Sequence, residues 1–215
     1  MADYDLAALL CSRLSHDLTG PVGAVANGVE LLSEDEDPEM QAQSLELLAF
    51  SAAEVSRRLQ FYRLAFGAAG GLDATTSIGE GQRTAEKFFT DRKQDLHWPE
   101  SSQDQLALPQ AAIQLLLNLV LLGGEALPRG GVVSVEIAKK GMTSNFSITA
   151  TGKQAGLRDD DLAALRAETA VPDLDARTVQ PYFAARLAAS LSGQISVEMP
   201  ESDKIVILSQ ILTSN

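Results

Sequence analysis

The sequence predicts an α+β fold: an N-terminal antiparallel helical hairpin that forms a four-helix bundle by dimerisation, followed by an α/β sandwich. Three observations predict it. Apolar residues recur every three to four positions through two long N-terminal runs. The cluster Gly67-Ala68-Ala69-Gly70-Gly71 then breaks that pattern and reads as a domain joint. Beyond it, helix-like and strand-like segments alternate to the C-terminus. The chain therefore divides into residues 1–68 and 69–215.

The first helix is expected from about Tyr4 to Leu32, with Leu6, Leu10, Leu14, Leu18, Val25, Val29 and Leu32 as its apolar stripe. The acidic run Ser33-Glu34-Asp35-Glu36-Asp37 makes the turn, and Asp37 before Pro38 has the character of an N-cap. The second helix runs from about Pro38 to Phe66, with Leu45, Leu48, Ala52, Val55, Leu59, Tyr62 and Phe66 in its stripe. A lone hairpin buries too little apolar surface to be stable, so a second copy is the natural completion. In the second part, helices are expected near Ile78–Arg92, Pro109–Leu122, Asp159–Glu168 and Pro181–Leu191. Strands are expected near Leu96–Trp98, Val132–Ala138, Asn145–Thr151, Gln194–Glu198 and Lys204–Leu212. Lys139-Lys140-Gly141 reads as a hairpin turn.

Composition excludes several function classes. At 215 residues with 45% hydrophobic content, the chain can bury a real core. No apolar run approaches the roughly 18 residues that cross a bilayer, so no membrane role is expected. The acidic start Met1-Ala2-Asp3-Tyr4-Asp5 has no signal-peptide character, and Cys11 is the only cysteine. A cytoplasmic location is the expectation. A net charge of −12 repels phosphate backbones, which disfavours direct nucleic-acid binding.

The two histidines have different settings. His97, in Asp95-Leu96-His97-Trp98-Pro99, reads as a structural residue of a short strand. His16 lies inside the first helix. With Leu6 at zero and about 100° per residue, most of the leucine stripe falls between roughly 40° and 120°. His16 falls near roughly 280°, facing solvent. Ser12, Gly20, Gly23 and Asn27 share its face, and small residues there let another backbone come close. An exposed neutral imidazole is a competent nucleophile near pH 7. A plain surface histidine is the competing reading. Ser15-His16-Asp17 has the residue types of a triad, but consecutive helix positions diverge too far to form one. Two isolated histidines and one distant cysteine do not make a metal site.

The run His16-Asp17-Leu18-Thr19-Gly20-Pro21-Val22 resembles the phospho-acceptor box of sensor histidine kinases. Pro21 is expected to kink the helix about one turn past the histidine. The second part follows the element order of a histidine-kinase (Bergerat-type) ATP-binding domain, but its nucleotide-binding motifs are degenerate. Leu122 stands where that family has its magnesium-binding asparagine, and Glu125 where a basic residue is usual. Ala150 in Ala150-Thr151-Gly152 replaces the aspartate that reads adenine. Thr178-Val179-Gln180-Pro181-Tyr182-Phe183 replaces the glycine-rich segment. The pattern as a whole is similar to the ChpT-like histidine phosphotransferases of alphaproteobacteria.

That resemblance implies a homodimer with a central bundle and flanking domains that bind no ATP. It implies a relay from the receiver domain of a hybrid histidine kinase to the receivers of response regulators. His16 would accept the phosphoryl group through Nε2. The chain would need no cofactor of its own, since the receiver brings Mg²⁺. Asp17 is the candidate for orienting the imidazole or holding its proton, against the alternative of a solvated carboxylate. Arg13, near roughly 340° on the same wheel, is a candidate contact for receiver carboxylates or the moving phosphoryl group. Ser12, Gly20, Gly23 and Asn27 are docking candidates. Two rival functions remain: a true ATP-dependent histidine kinase, and a dimeric scaffold that binds receivers without accepting phosphate.

Overall fold

Helix α1 spans Ala2–Glu34 and α2 spans Pro38–Ala65, in a computed structural model that describes residues 2–34, 37–67, 75–100 and 106–213. Asp37 caps α2 as expected, its carboxylate accepting from the Glu39 amide at 3.0 Å, with Pro38 at the first helical position. The two helices are antiparallel, since Gly28 lies against Leu48 while Asp17 lies against Tyr62. Gly28 permits that approach: a Cβ there would sit 3.2 Å from the Leu48 Cβ. Helix α1 passes through Pro21 as one element.

The stripe expected on α2 separates into two. Tyr62 is buried and Leu48 and Val55 are half-buried, whereas Leu45, Ala52 and Leu59 are exposed. Residues seven apart share a helix face, so the second set forms a continuous apolar stripe that one hairpin leaves uncovered. Val22 and Val29 repeat this on α1.

The remaining elements are β1 (Thr75–Ser77), α3 (Ile78–Phe89), β2 (Gln94–His97), β3 (Ala107–Pro109) and α4 (Gln110–Glu125). They are followed by β4 (Gly131–Lys140), β5 (Thr143–Thr151), α5 (Asp159–Leu165), a short 3₁₀ turn (Val171–Asp173), α6 (Val179–Ser190), β6 (Gln194–Glu201) and β7 (Lys204–Leu212). Five strands form a mixed sheet in the order β2-β4-β5-β7-β6, with only β2 and β4 parallel. Burial alternates along β5 and β7, so one face (Phe146, Ile148, Ala150, Ile205, Ile207, Ile211) packs under the helices.

Two short strands, β1 and β3, pair with each other and were not expected. Helix α4 also runs three residues past its expected end, through Gly123-Gly124. Those glycines are packing residues rather than a stop. A Cβ at Gly123 would meet Ile148 at 2.9 Å, and one at Gly124 would meet Phe89 at 3.0 Å.

Ala68–Gly71 of the expected joint lie outside the described residues. On either side of them the core is continuous, with Phe61, Tyr62, Leu64 and Ala65 of α2 joining the cluster built by α3, α4 and the sheet. Polar contacts reinforce this. The last carbonyls of a helix lack intrahelical partners, and α4 supplies them from Gln110 to Leu64 and from Asn118 to Ala65, while Gln114 donates to Gly67 just past the helix end. The donors are four residues apart and lie on one face of α4. The end of the hairpin is thus capped by side chains of the second part.

Candidate functional site

His16 stands on α1 with its side chain 82% exposed, as the helical wheel predicts. Its Nδ1 lies 3.2 Å from Asp17 Oδ1. Ser15 takes no part in this, since its hydroxyl donates to the Cys11 carbonyl within the helix.

Asp17 is not a solvated carboxylate. Its side chain is only 15% exposed, and its two oxygens have separate tasks. Oδ2 accepts from Arg13 Nε at 2.7 Å and from the Tyr62 hydroxyl at 2.8 Å, which leaves Oδ1 for His16. The Asp17 backbone is also held. Pro21, four residues on, has no N–H, so the Asp17 carbonyl loses its helical partner. Arg58 of α2 donates to that carbonyl at 2.5 Å and is paired with Glu54 one turn earlier.

Arg13 departs from expectation. It is buried, at 8% exposure, and does not stand free on the docking face. One arm of its guanidinium holds Asp17, another pairs with Glu125 at the end of α4, and Nη1 reaches the Arg177 carbonyl at 3.5 Å. The wheel placed Arg13 about 60° from His16 as a docking candidate, but a long-range partner covers it.

The charge states follow from these contacts. Burial pushes the Asp17 carboxyl up, but the hydrogen bond and positive charge of Arg13, with donation from His16 and Tyr62, outweigh it and hold the group below its usual range. Burial and the Asp17 charge both push the Tyr62 phenol up, so it remains a donor. Burial acts to lower the Arg13 pKa, yet Glu125 and Asp17 raise it further than burial lowers it. Asp17 is therefore an ionised acceptor. An ionised carboxylate can only accept, so the proton shared with His16 belongs on Nδ1. In the neutral ring Nε2 then carries the lone pair, on the side away from the carboxylate.

Ser12, Gly20 and Asn27 are exposed near His16 and Gly23 is partly so. A Cβ at Gly20 or Gly23 would meet nothing within 4 Å, so packing within the chain does not require either glycine. His16 and Asp17 open onto a cleft of about 640 Å³, bounded across from them by Glu125, Leu157, Arg158 and Arg177. Arg158 is held by both oxygens of Asp161, at 2.9 and 2.6 Å. His97 lies apart, exposed at the end of the edge strand β2.

The residues that depart from the kinase motifs lie in the interior. Leu122, Ala150 and Gln180 are each at most 1% exposed, and the Gln180 amide donates to the backbone and side-chain oxygens of Asn118.

Three site residues were missed by sequence reasoning. Tyr62 falls in the apolar stripe by spacing, although a buried tyrosine needs a partner for its hydroxyl. Glu125 was noted only as a charge reversal. Arg58 was overlooked, although a proline inside a helix announces a free carbonyl four residues earlier.

Asp17→Asn should lower unfolding free energy at pH 7 by about 2–4 kcal/mol, the range for breaking a partly buried, charge-assisted pair. The Asp17 pKa is lower folded than unfolded. Its contribution is therefore complete above the unfolded value of about 4 and disappears as pH falls through the folded one. Urea melts of both proteins should diverge at pH 7 and draw together as pH falls below the unfolded value of about 4. An equal difference at every pH would contradict the charge assignment.

Residues 78–203 match the histidine phosphotransferase C-terminal domain family. The chain is 37% identical over 206 residues to the protein phosphotransferase ChpT of Brucella abortus (strain 2308), covering 94% of each. A solved bacterial phosphotransferase superposes with a TM-score of 0.84 at 34% identity, over 96% of both chains. The histidine kinase AdeS of Acinetobacter baumannii superposes with a TM-score of 0.50 at 13% identity, over 93% of this chain and 98% of that one, a likeness of fold alone. With one domain matched over more than half the chain and a relative similar along nearly all of it, the protein belongs to the ChpT-like histidine phosphotransferase family.

Proposed function

We propose that the protein is a phosphorelay intermediate, accepting a phosphoryl group on His16 Nε2 from a receiver aspartate and passing it to the aspartate of a second receiver. The observation that carries this reading is an exposed imidazole whose Nδ1 is held by a buried, ionised Asp17. In the forward step the Nε2 lone pair attacks phosphorus, an N–P bond forms, and the P–O bond to the donor carboxylate breaks. The departing carboxylate is the leaving group, and the Nδ1 proton stays beside Asp17. In the second step the acceptor carboxylate attacks the same phosphorus and the N–P bond breaks. Phosphoryl transfer depends mainly on positioning and charge neutralisation. Mg²⁺ bound by the receiver supplies the neutralisation. Ser12, Gly20, Gly23 and Asn27 form the surface on which the receiver backbone approaches.

ATP has no part in this reading. What supports that is the packing of Leu122, Ala150 and Gln180 into the core at the three positions a nucleotide would need. A dimer is the second element, with residues 1–68 as the bundle half and 69–215 as the flanking domain. Its support is the uncovered stripe of Leu45 and Leu59, 54% and 49% exposed, with Val22 and Val29 on α1 at 50% and 55%. Burying such side chains contributes about 1.5–3 kcal/mol each when complete. A cytoplasmic location fits a chain in which, among the described residues, no helix is long and apolar enough to cross a membrane.

Incubation with a phosphorylated receiver should label the wild type and His97→Ala, and leave His16→Ala unlabelled while still bound. Incubation with labelled ATP alone should label none of them. Loss of label in His97→Ala, or its survival in His16→Ala, would show that the wrong histidine has been chosen. Labelling from ATP would make the protein a kinase, and binding without any label would make it a scaffold.

Sedimentation at micromolar concentration should give a dimer. The double substitution Leu45→Glu, Leu59→Glu should give a monomer whose α/β part keeps its fold. A folded wild-type monomer at that concentration would contradict the bundle.

A further inference from the structure

The contacts of Asp17 extend well beyond α1, and their origin gives the second part of the chain a task. Asp17 Oδ2 is held by two donors, Arg13 from the same helix and Tyr62 from α2. Arg13 is in turn paired with Glu125, the last residue of α4. Neither anchor is free to drift. Tyr62 lies within one turn of the α2 carbonyls that Gln110 and Asn118 of α4 bind, and its ring packs on Phe61, Phe66 and Phe88. Glu125 is placed by the helix turn whose Gly123 and Gly124 seat against Ile148 and Phe89. A carboxylate with one free torsion beyond χ1 would otherwise rotate between solvent and the imidazole. Here two donors occupy one oxygen, so the other faces Nδ1.

The geometry points to Tyr62 and Glu125 as positioning residues for phosphoryl transfer, acting through Asp17 to keep the His16 ring in the orientation and tautomer that present Nε2. The inference rests on the phosphotransfer reading above and adds a role for the nucleotide-free domain. That domain contributes Glu125 and the capping helix α4, and so serves as the clamp that sets the accepting imidazole. Tyr62 touches no reacting atom, and neither does Glu125. Their effect is on the rate at saturation rather than on receiver binding, because Tyr62 is buried and Glu125, though partly exposed on the cleft, is turned to Arg13. The same logic separates them from Ser12 or Gly23, whose replacement acts on docking.

The test is a mutant cycle in the full-length protein, with a phosphorylated receiver as donor and single-turnover transfer as the readout. Tyr62→Phe and Glu125→Gln each keep the side-chain shape and remove one hydrogen bond or one charge. Each should slow transfer at saturating receiver about tenfold or more, the scale set by small misplacements of a reacting group, with the half-saturating concentration unchanged. In an Asp17→Asn background, which itself slows transfer, adding either substitution should change the rate by less than about twofold, since coupled residues are non-additive. A purely structural role would give the same slowing in both backgrounds, and that result overturns the proposal. So would single substitutions that leave the rate within about twofold of wild type, or an Asp17→Asn rate equal to wild type. Thermal melts run alongside, and if Tyr62→Phe does not fold, Glu125→Gln carries the cycle alone. His16→Ala separates the two readings. If it still accepts label, the phosphotransfer assignment fails, whereas an additive cycle with unlabelled His16→Ala removes only the positioning role.

Discussion

A single carboxylate, Asp17, organises the centre of this molecule. Taking an ionised group out of water costs several kcal/mol unless it is paired and hydrogen-bonded. Asp17 is mostly buried, and the structure meets that cost with a donor from each neighbouring direction: Arg13 from α1, Tyr62 from α2, and His16 at the surface. Each donor fixes something larger. Tyr62 sets how α2 lies along α1. Arg13 is itself a buried cation and needs a second anion, which Glu125 provides from α4. The exposed imidazole is the outermost member of a chain of contacts that begins in the core.

Pro21 and Arg58 contribute a second constraint at the same place. The proline opens the Asp17 carbonyl, and Arg58 closes it from α2. A helix interior normally satisfies its own backbone. Here one turn of α1 depends on the neighbouring helix for that satisfaction, and it is the turn that bears His16. The α/β part keeps the layers of a histidine-kinase-like fold, with Leu122, Ala150 and Gln180 packed in its interior. It contacts the hairpin through the cap on α2 and through Glu125.

Much of this was legible in the sequence, for identifiable reasons. Helices α1 and α2 were readable from the three-to-four spacing of leucines, and the start of α2 from Asp37-Pro38. The hairpin β4–β5 and strand β7 were readable because one buried face forces strict alternation, although the turn lies at Gly141-Met142 and Lys139 and Lys140 are paired strand residues. His16 was readable because it opposes the leucine stripe. The strands β1 and β3 were not, since three residues carry no period. The end of α4 was misread because Gly123-Gly124 has the composition of a stop, while only the tertiary structure shows that Ile148 and Phe89 leave no room for a side chain. Arg13 and Glu125 form a pair 112 residues apart in sequence, and no local pattern predicts which surface arginine will be covered by a distant helix. Tyr62 was counted by its ring, whereas its hydroxyl carries the information.

The central claim is that Asp17, ionised and fixed from behind, determines which imidazole nitrogen of His16 is free. Long-range ¹H–¹⁵N correlation spectra of the histidine side chains, recorded on the intact protein near pH 7, report this directly. The account predicts that neutral His16 has a protonated Nδ1 and an unprotonated Nε2, and that this preference is lost in Asp17→Asn. A His16 protonated on Nε2, or a tautomer ratio that Asp17→Asn leaves unchanged, would contradict it.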